Sequence, residues 1–138
     1  MLDNKRCILI ADDEPKMVRA LRDFFRANGF CVLEAKNGIE AFDVFCAHTN
    51  EIDIILLDMM MPEQDGLTTL KEIREASSLI PVILLTAKGE EYDQLSGFSS
   101  GADDYIINPF FSAAADGAGG GSFSHYFRYN IRRKYVIL

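Results

Sequence analysis

The sequence contains few cysteines, and their arrangement gives them no common role. Cys7, Cys31 and Cys46 are an odd number, show no CxxC spacing and have no companion cluster of histidines. A disulfide framework or a structural zinc site would require such patterns, so we predict neither. Cys7 and Cys31 stand in apolar runs, which predicts that they are buried free thiols in a reducing compartment.

Long hydrophobic runs and a surplus of basic residues are also lacking. The N-terminal segment MLDNKRCILIADDEP holds an apolar run of only five residues before two acids. We therefore expect neither a secretory signal nor a membrane span, and a cytoplasmic location. With 14 Lys and Arg against 21 Asp and Glu, the formal charge is −7. Non-specific nucleic-acid binding needs a basic face, so this charge favours a metal cation or a basic partner protein instead.

The 138 residues are 49% hydrophobic, which suits one globular domain with a substantial core. Up to about residue 110, short apolar runs alternate with segments of helical spacing, as in a parallel sheet covered by helices on both faces. The predicted fold is an α/β domain with a doubly wound, five-stranded parallel sheet in the flavodoxin-like order 2-1-3-4-5. Strands are predicted at 7–11, 30–33, 52–57, 81–85 and 105–107, with four helices between them, the last over 90–101.

The composition changes abruptly after residue 111. SAAADGAGGGS is small and flexible, FSHYFRYNIRRKYVIL is aromatic and basic, and the fifth helix of the alternation is missing or aberrant. One hypothesis is a frameshift, because a reading frame displaced by one base can encode FSAQLLMARVEALFR, an amphipathic helix. The alternative is a natural flexible linker with a divergent end. Under the frameshift hypothesis the segment 112–138 has no evolved function and is not a nucleic-acid site.

Polar side chains follow the predicted strands at the points where the strands end. Asp12 and Asp13 follow the first strand, Asp58 the third, Thr86 the fourth and Asn108 the fifth. Each residue alone could be a helix cap, a turn former or a strand-end hydroxyl. Together they converge on the carboxyl edge of the sheet, where three carboxylates repel one another unless a cation joins them. Mg²⁺ suits such a site, and a carboxylate beside Mg²⁺ can accept a phosphoryl group.

The segments ILIADDEP, IILLDMMMPEQDG, PVILLTA and GADDYIINPF resemble, in order and spacing, the receiver domain of bacterial two-component response regulators. The resemblance covers about residues 5 to 110 and implies a receiver domain over 1–111 that is not an enzyme. It implies that Asp58 is the phosphoacceptor, with a sensor histidine kinase as donor. It further implies that Asp13, Asp58 and the backbone carbonyl of Met60 hold Mg²⁺, while Asp12 acts largely through water.

The same resemblance assigns a switch. Thr86 would hydrogen-bond the phosphoryl group, and Tyr105 would turn inward as Thr86 moves. The sequence departs from the family at Asn108, where the family has a lysine that offers a positive charge to the phosphoryl group. An asparagine is shorter and uncharged, so a metal-binding receiver with impaired switching is an alternative. The DDYII segment looks most like regulators with a winged-helix DNA-binding domain, which suggests transcription as the output.

The sequence disfavours two other functions. A small Mg²⁺-dependent phosphohydrolase would need a second acid two residues after the nucleophile, where Met60 stands. A flavodoxin-like cofactor binder would need backbone donors after the first strand, where ADDEP is acidic.

The missing last helix also predicts association. Without it, apolar faces of the first helix and the fifth strand would lose their cover, which predicts a homodimer or a segment-exchanged dimer.

Overall fold

The structure of the protein, a computed structural model, describes residues 6–77, 79–86 and 104–107. These residues form five strands and three helices: β1 (Arg6–Ala11), α1 (Pro15–Ala27), β2 (Phe30–Ala35), α2 (Gly38–Ala47), β3 (Ile54–Asp58), α3 (Gly66–Ala76), β4 (Val82–Thr86) and β5 (Asp104–Ile107). The helix predicted over 90–101 and the whole tail, 112–138, lie outside the described residues. Within the part that the structure describes, no helix is both long enough and apolar enough to cross a membrane.

The five strands form one parallel sheet in the order β2-β1-β3-β4-β5, which confirms the predicted topology. The chain winds outward from β1 to β2 and then crosses to the other side of β1 to form β3. This reversal leaves a crevice at the carboxyl ends of β1 and β3, where doubly wound sheets bind their ligands. Ala11 is paired with Leu57 in the register, so the next residues, Asp12 and Asp58, meet at that crevice.

Each helix begins and ends where local chemistry favours it. Pro15 opens α1, where its missing N–H is least costly, and Gly29 follows the helix with a φ of 89°. Asn37 caps α2, because its side chain accepts a hydrogen bond of 2.7 Å from the Glu40 N–H. Asp65 caps α3 in the same way, with a hydrogen bond of 2.8 Å from Thr68.

The core has two layers, one on each face of the sheet. On one face α1 packs Leu21 and Phe25 against β1 and Phe30, and the Phe25 and Phe30 rings meet edge to face at 5.2 Å. On the other face α2 and α3 cover the sheet with Phe45, Leu70 and other apolar side chains. β3 is fully buried on both faces, as expected of a central strand.

One expectation about exposure is wrong. Cys31 is exposed although it stands in an apolar run, because β2 is the edge strand of the sheet; Cys7, on the inner strand β1, is buried as predicted. Leu21 and Phe25 of α1 are 1% and 0% exposed because they pack against the sheet. The expected loss of cover on the other apolar positions of α1 and on β5, and the association it predicts, stay predictions.

Candidate functional site

Three carboxylates meet at the crevice between β1 and β3. Asp12, Asp13 and Asp58 each offer an oxygen, and these three atoms lie within 4.8 Å of one another. Asp12 and Asp58 are 3% and 7% exposed, whereas Asp13 is exposed to solvent. The predicted convergence of these residues is therefore present. An all-oxygen donor set with one face open to water fits a hard cation such as Mg²⁺, which keeps several of its water ligands.

Two hydrogen bonds hold Asp12 in place, one through its backbone and one through its side chain. Its N–H donates to the Ala35 carbonyl at 3.0 Å, and its Oδ1 accepts from the Glu14 N–H at 2.9 Å. The pKa of Asp12 is raised from 3.8 to about 6, mainly by burial and to a smaller extent by the charges of Asp13 and Glu14, against the opposing effect of the backbone hydrogen bonds from Glu14 and Asp13. A cation at the cluster would offset this cost of ionising Asp12.

The end of β3 and the start of α3 fix the backbone around Asp58. The Met59 N–H donates to Leu85 at 2.9 Å, and the Gly66 N–H donates to Met59 at 3.0 Å. A Cβ at Gly66 would lie 2.5 Å from the Asp58 carbonyl oxygen, so only glycine allows this approach. The Asp58 Oδ1 also lies 3.4 Å from the Met60 N–H. Asp58 is thus presented on a tightly held backbone.

The loop after Asp58 carries three methionines in different environments. Met59 and Met61 are 4% and 8% exposed and belong to the core, whereas Met60 is 61% exposed beside the acidic cluster.

The rest of this loop is held by its backbone. Glu63 has a φ of 69°, which is in the left-handed region. This is the one non-glycine residue with a positive φ among those described. Gln64 then ties the loop to the neighbouring helices, since its carbonyl accepts from the Gly38 N–H and its amide donates to Thr69.

Sequence reasoning missed a cationic rim beside the acids. An open cavity of about 300 Å³ is lined by the acids Asp12, Asp13 and Glu34 together with the basic residues Arg19, Arg22 and Lys36. Arg22 is paired with Glu34 at 3.0 Å. The signal in the sequence is that Arg19 and Arg22 are three residues apart on a predicted helix and therefore lie on the same face of it. The sequence does not show that Lys36, which follows β2, lies near these two arginines.

The remaining predicted residues are placed only by the backbone or not at all. Thr86 ends β4, one position after Leu85, which is paired with Asp58 in the register. Tyr105 lies within β5 and is paired with Leu84. Asn108 lies outside the described residues. The roles predicted for Thr86, Tyr105 and Asn108 stay predictions.

The fold and the site together define a flavodoxin-like α/β domain with a candidate cation site at its switch point. The family model for the response regulator receiver domain matches residues 8–115. The chain belongs to this family, which confirms the predicted resemblance. It is the receiver domain of a two-component response regulator.

Similar proteins agree with this assignment. The transcriptional regulatory protein SrrA of Staphylococcus aureus is 47% identical over 103 residues, which are 75% of this chain and 42% of that protein. The chain thus spans less than half the length of this relative. The homology supports the predicted likeness to winged-helix transcriptional regulators.

Solved structures give the same family. The CheX-CheY-BeF3-Mg²⁺ complex from Borrelia burgdorferi matches with 34% identity and a TM-score of 0.68, covering 74% of this chain and 77% of that one. The response regulator TrrA from Thermotoga maritima, in complex with Mg²⁺ and BeF, matches with 34% identity and a TM-score of 0.67, covering 74% and 85%.

Proposed function

We propose that Asp58 accepts a phosphoryl group while Mg²⁺ is bound at the acidic cluster, and that the chain acts as a regulatory module and not as an enzyme. The observation that carries this proposal is the convergence of three carboxylate oxygens within 4.8 Å at the switch point of the sheet. Membership of the receiver family and the Mg²⁺-containing complexes of two similar proteins support it.

Asp58 accepts the phosphoryl group, and the groups of the acidic cluster hold the cation. A carboxylate oxygen of Asp58 attacks phosphorus, a new O–P bond forms, and the bond from phosphorus to the donor breaks. Asp13, Asp58 and the backbone carbonyl of Met60 would hold the cation, with Asp12 acting largely through water. When bound, the cation would supply positive charge that lowers the repulsion between the carboxylates and the incoming phosphoryl group.

The donor and the output belong to the same proposal. A sensor histidine kinase supplies the phosphoryl group in the cytoplasm, and the full-length parent regulates transcription. The proposed receiver domain spans 1–111 and is followed by the atypical tail 112–138, for which a frameshift product and a natural linker are the two alternatives. This domain contacts no nucleic acid, and a homodimer or segment-exchanged dimer remains part of the proposal.

Incubation of the full chain with acetyl phosphate and Mg²⁺ tests the proposal. Intact-mass measurement is expected to show one added phosphoryl group in the parent and none in Asp58→Asn. Asp53→Asn is the matched control, because Asp53 lies at the opposite ends of the strands, where it bonds to Cys7. Labelling of Asp58→Asn to the level of the parent would disprove the assignment.

Asn108 favours a second candidate, a receiver that binds metal and phosphoryl group but switches poorly. The uncharged amide removes a charge-assisted contact at the place where the family has lysine. Asn108→Lys should then leave Mg²⁺ binding nearly unchanged but increase the change that phosphorylation causes in hydrogen exchange around Thr86 and Tyr105. Equal exchange changes in the parent and Asn108→Lys would count against impaired switching.

A phosphohydrolase is disfavoured by the residue that stands two positions after Asp58. Met60 is 61% exposed, and its thioether has no proton to exchange with a leaving group. The parent is therefore expected to release phosphate slowly from Asp58 and not to turn over external phosphate esters.

A further inference from the structure

Two cysteines lie side by side at the ends of the strands opposite the acidic cluster. Cys7 in β1 and Cys31 in β2 are direct partners in the parallel register, and neighbouring strands are about 4.8 Å apart. Side chains alternate between the two faces of a strand. Cys7 packs in the layer that also contains Leu33, and Cys31 is in phase with Leu33. The two thiols therefore project from the same face of the sheet.

The surroundings of the pair are negative. The pKa of Cys7 is raised from 9.0 to about 11, first by burial and then by Cys31, Asp53 and Glu51, which places the second sulfur and two carboxylates within electrostatic range. Asp53 is fixed there, since its Oδ2 accepts from the Cys7 N–H at 2.8 Å and its own N–H donates to the Cys7 carbonyl at 2.8 Å. In these surroundings the thiols ionise readily only if a cation bound to the sulfurs takes up part of the charge that forms.

The spacing suits an ion between the sulfurs better than a bond between them. A disulfide needs Cβ atoms about 3.8 Å apart, about 1 Å closer than the spacing of the strands. With the length of a zinc–thiolate bond, about 2.3 Å, as a guide, two metal–sulfur bonds span about 4.6 Å, so an ion between the sulfurs does not require the strands to move closer together. Cys31 is exposed on the edge strand, so an ion can enter from solvent.

We propose that Cys7 and Cys31 together bind one soft monovalent cation of the Cu(I) type through their two sulfur atoms. Thiolates select soft ions such as Cu(I), whereas the oxygen ligands of the acidic cluster select Mg²⁺, so the two sites do not compete. Each thiol releases its proton to solvent as its metal–sulfur bond forms, and no electron is transferred. The bound ion links the edge strand β2 to β1.

Titration of the reduced full chain with Cu(I), against the chromophoric chelator bicinchoninate and without oxygen, tests the proposal. One ion per chain is expected for the parent. Cys31→Ser should weaken binding at least 100-fold, and Cys7→Ser likewise. Cys46→Ser is the matched control, because Cys46 is exposed and is the third and last cysteine of the sequence. It should bind as the parent does. Since Cys7 is buried and its variant could fail to fold, the exposed Cys31 is decisive.

Thermal unfolding gives a second readout. Cu(I) should raise the melting temperature of the parent and of Cys46→Ser, and leave that of Cys31→Ser unchanged. Undiminished affinity in Cys31→Ser would overturn the proposal, and so would loss of binding in Cys46→Ser. One ion per two chains, with dimers seen by light scattering, would also overturn it, since the exposed thiols of two chains would then be the ligands. Asp58→Asn should retain the site, which separates this test from that of phosphorylation.

Discussion

Asp12 and Asp13 are neighbours in the sequence, but the fold gives them different surroundings. Asp12 is buried and its pKa is raised to about 6, while Asp13 is exposed at the rim of the same cluster. The difference arises because Asp12 continues the line of β1 into the crevice and bonds to Ala35, whereas the chain then turns towards α1. Because Asp12 is buried, its ionised form destabilises the folded protein when no metal is bound.

We expect Asp12→Asn to stabilise the metal-free protein in a pH-dependent way. The pKa of Asp12 is higher in the folded protein than in the unfolded chain, so its favourable contribution is complete below about pH 3.8 and is lost as the pH rises through about 6. The free energy of unfolding should therefore rise by up to ~3 kcal/mol at pH 7.5 and by ~1 kcal/mol at pH 4.5. Urea unfolding in EDTA measures this, with Asp13→Asn as control. A gain that does not depend on pH would contradict it.

Glu63 offers a test of backbone strain. Its φ of 69° lies in the left-handed region, which costs a residue with a Cβ ~1 kcal/mol. Glu63→Gly should therefore raise the free energy of unfolding by about that amount, whereas Glu63→Ala retains the Cβ and should not. Chemical denaturation at low salt measures both variants. Equal stability of the two would mean that the gain comes from the removed charge.

At the scale of elements, the junction between β3 and α3 holds the candidate phosphoacceptor in place. α3 starts with Gly66 against the backbone of Asp58, and Asp65 caps the helix. The loop between them is tied to α2 through the hydrogen bond from Gly38 to Gln64. The position of Asp58 therefore depends on backbone contacts between elements more than on its own side chain.

Gly66→Ala should disrupt this junction. The added Cβ would lie 2.5 Å from the Asp58 carbonyl oxygen and 2.9 Å from the Met59 Cα, and neither backbone atom can move alone. We expect a loss of ~2 kcal/mol or more in the free energy of unfolding, and slower labelling of Asp58 by acetyl phosphate. Glu75→Ala, at the exposed end of the same helix, is the control. Unchanged labelling in Gly66→Ala would show that the junction does not position Asp58.

At the scale of the whole molecule, charge is the dominant feature. The chain carries a formal charge of −7, and two buried carboxylates share the crevice with Asp13. A ligand that binds only the folded state raises the free energy of unfolding by RT ln(1 + [L]/Kd). Neutralisation of the acidic cluster by a divalent cation therefore links metal binding to the stability of the entire domain.

Mg²⁺ should raise the melting temperature of the parent, with a stabilisation of ~2.7 kcal/mol at a Mg²⁺ concentration of about 100 times Kd. Asp13→Asn should lose most of this gain, because it removes one carboxylate ligand from the cluster. Asp53→Asn, at the other end of the strands, should retain it. Differential scanning fluorimetry at constant ionic strength measures the three proteins. An equal gain in Asp13→Asn would show that Mg²⁺ acts elsewhere.

The sequence by itself determined the strands, the first three helices and the order of the sheet. Runs such as Ile54–Asp58 are apolar at every position, which requires burial on both faces, and right-handed crossovers then leave few topologies. It also placed Asp12, Asp13 and Asp58 together, because the carboxyl ends of parallel strands lie at one edge of a sheet.

Only the tertiary structure decided which of these positions are covered. Cys31 is exposed because β2 is paired on one side alone among the described strands, and an apolar run does not reveal which strand is the edge. Met60 is exposed between two buried methionines, and Lys36 joins Arg19 beside the acids. The physical reason is the same in each case: periodicity gives the direction of a side chain from its own strand or helix, but exposure depends on what other elements place there.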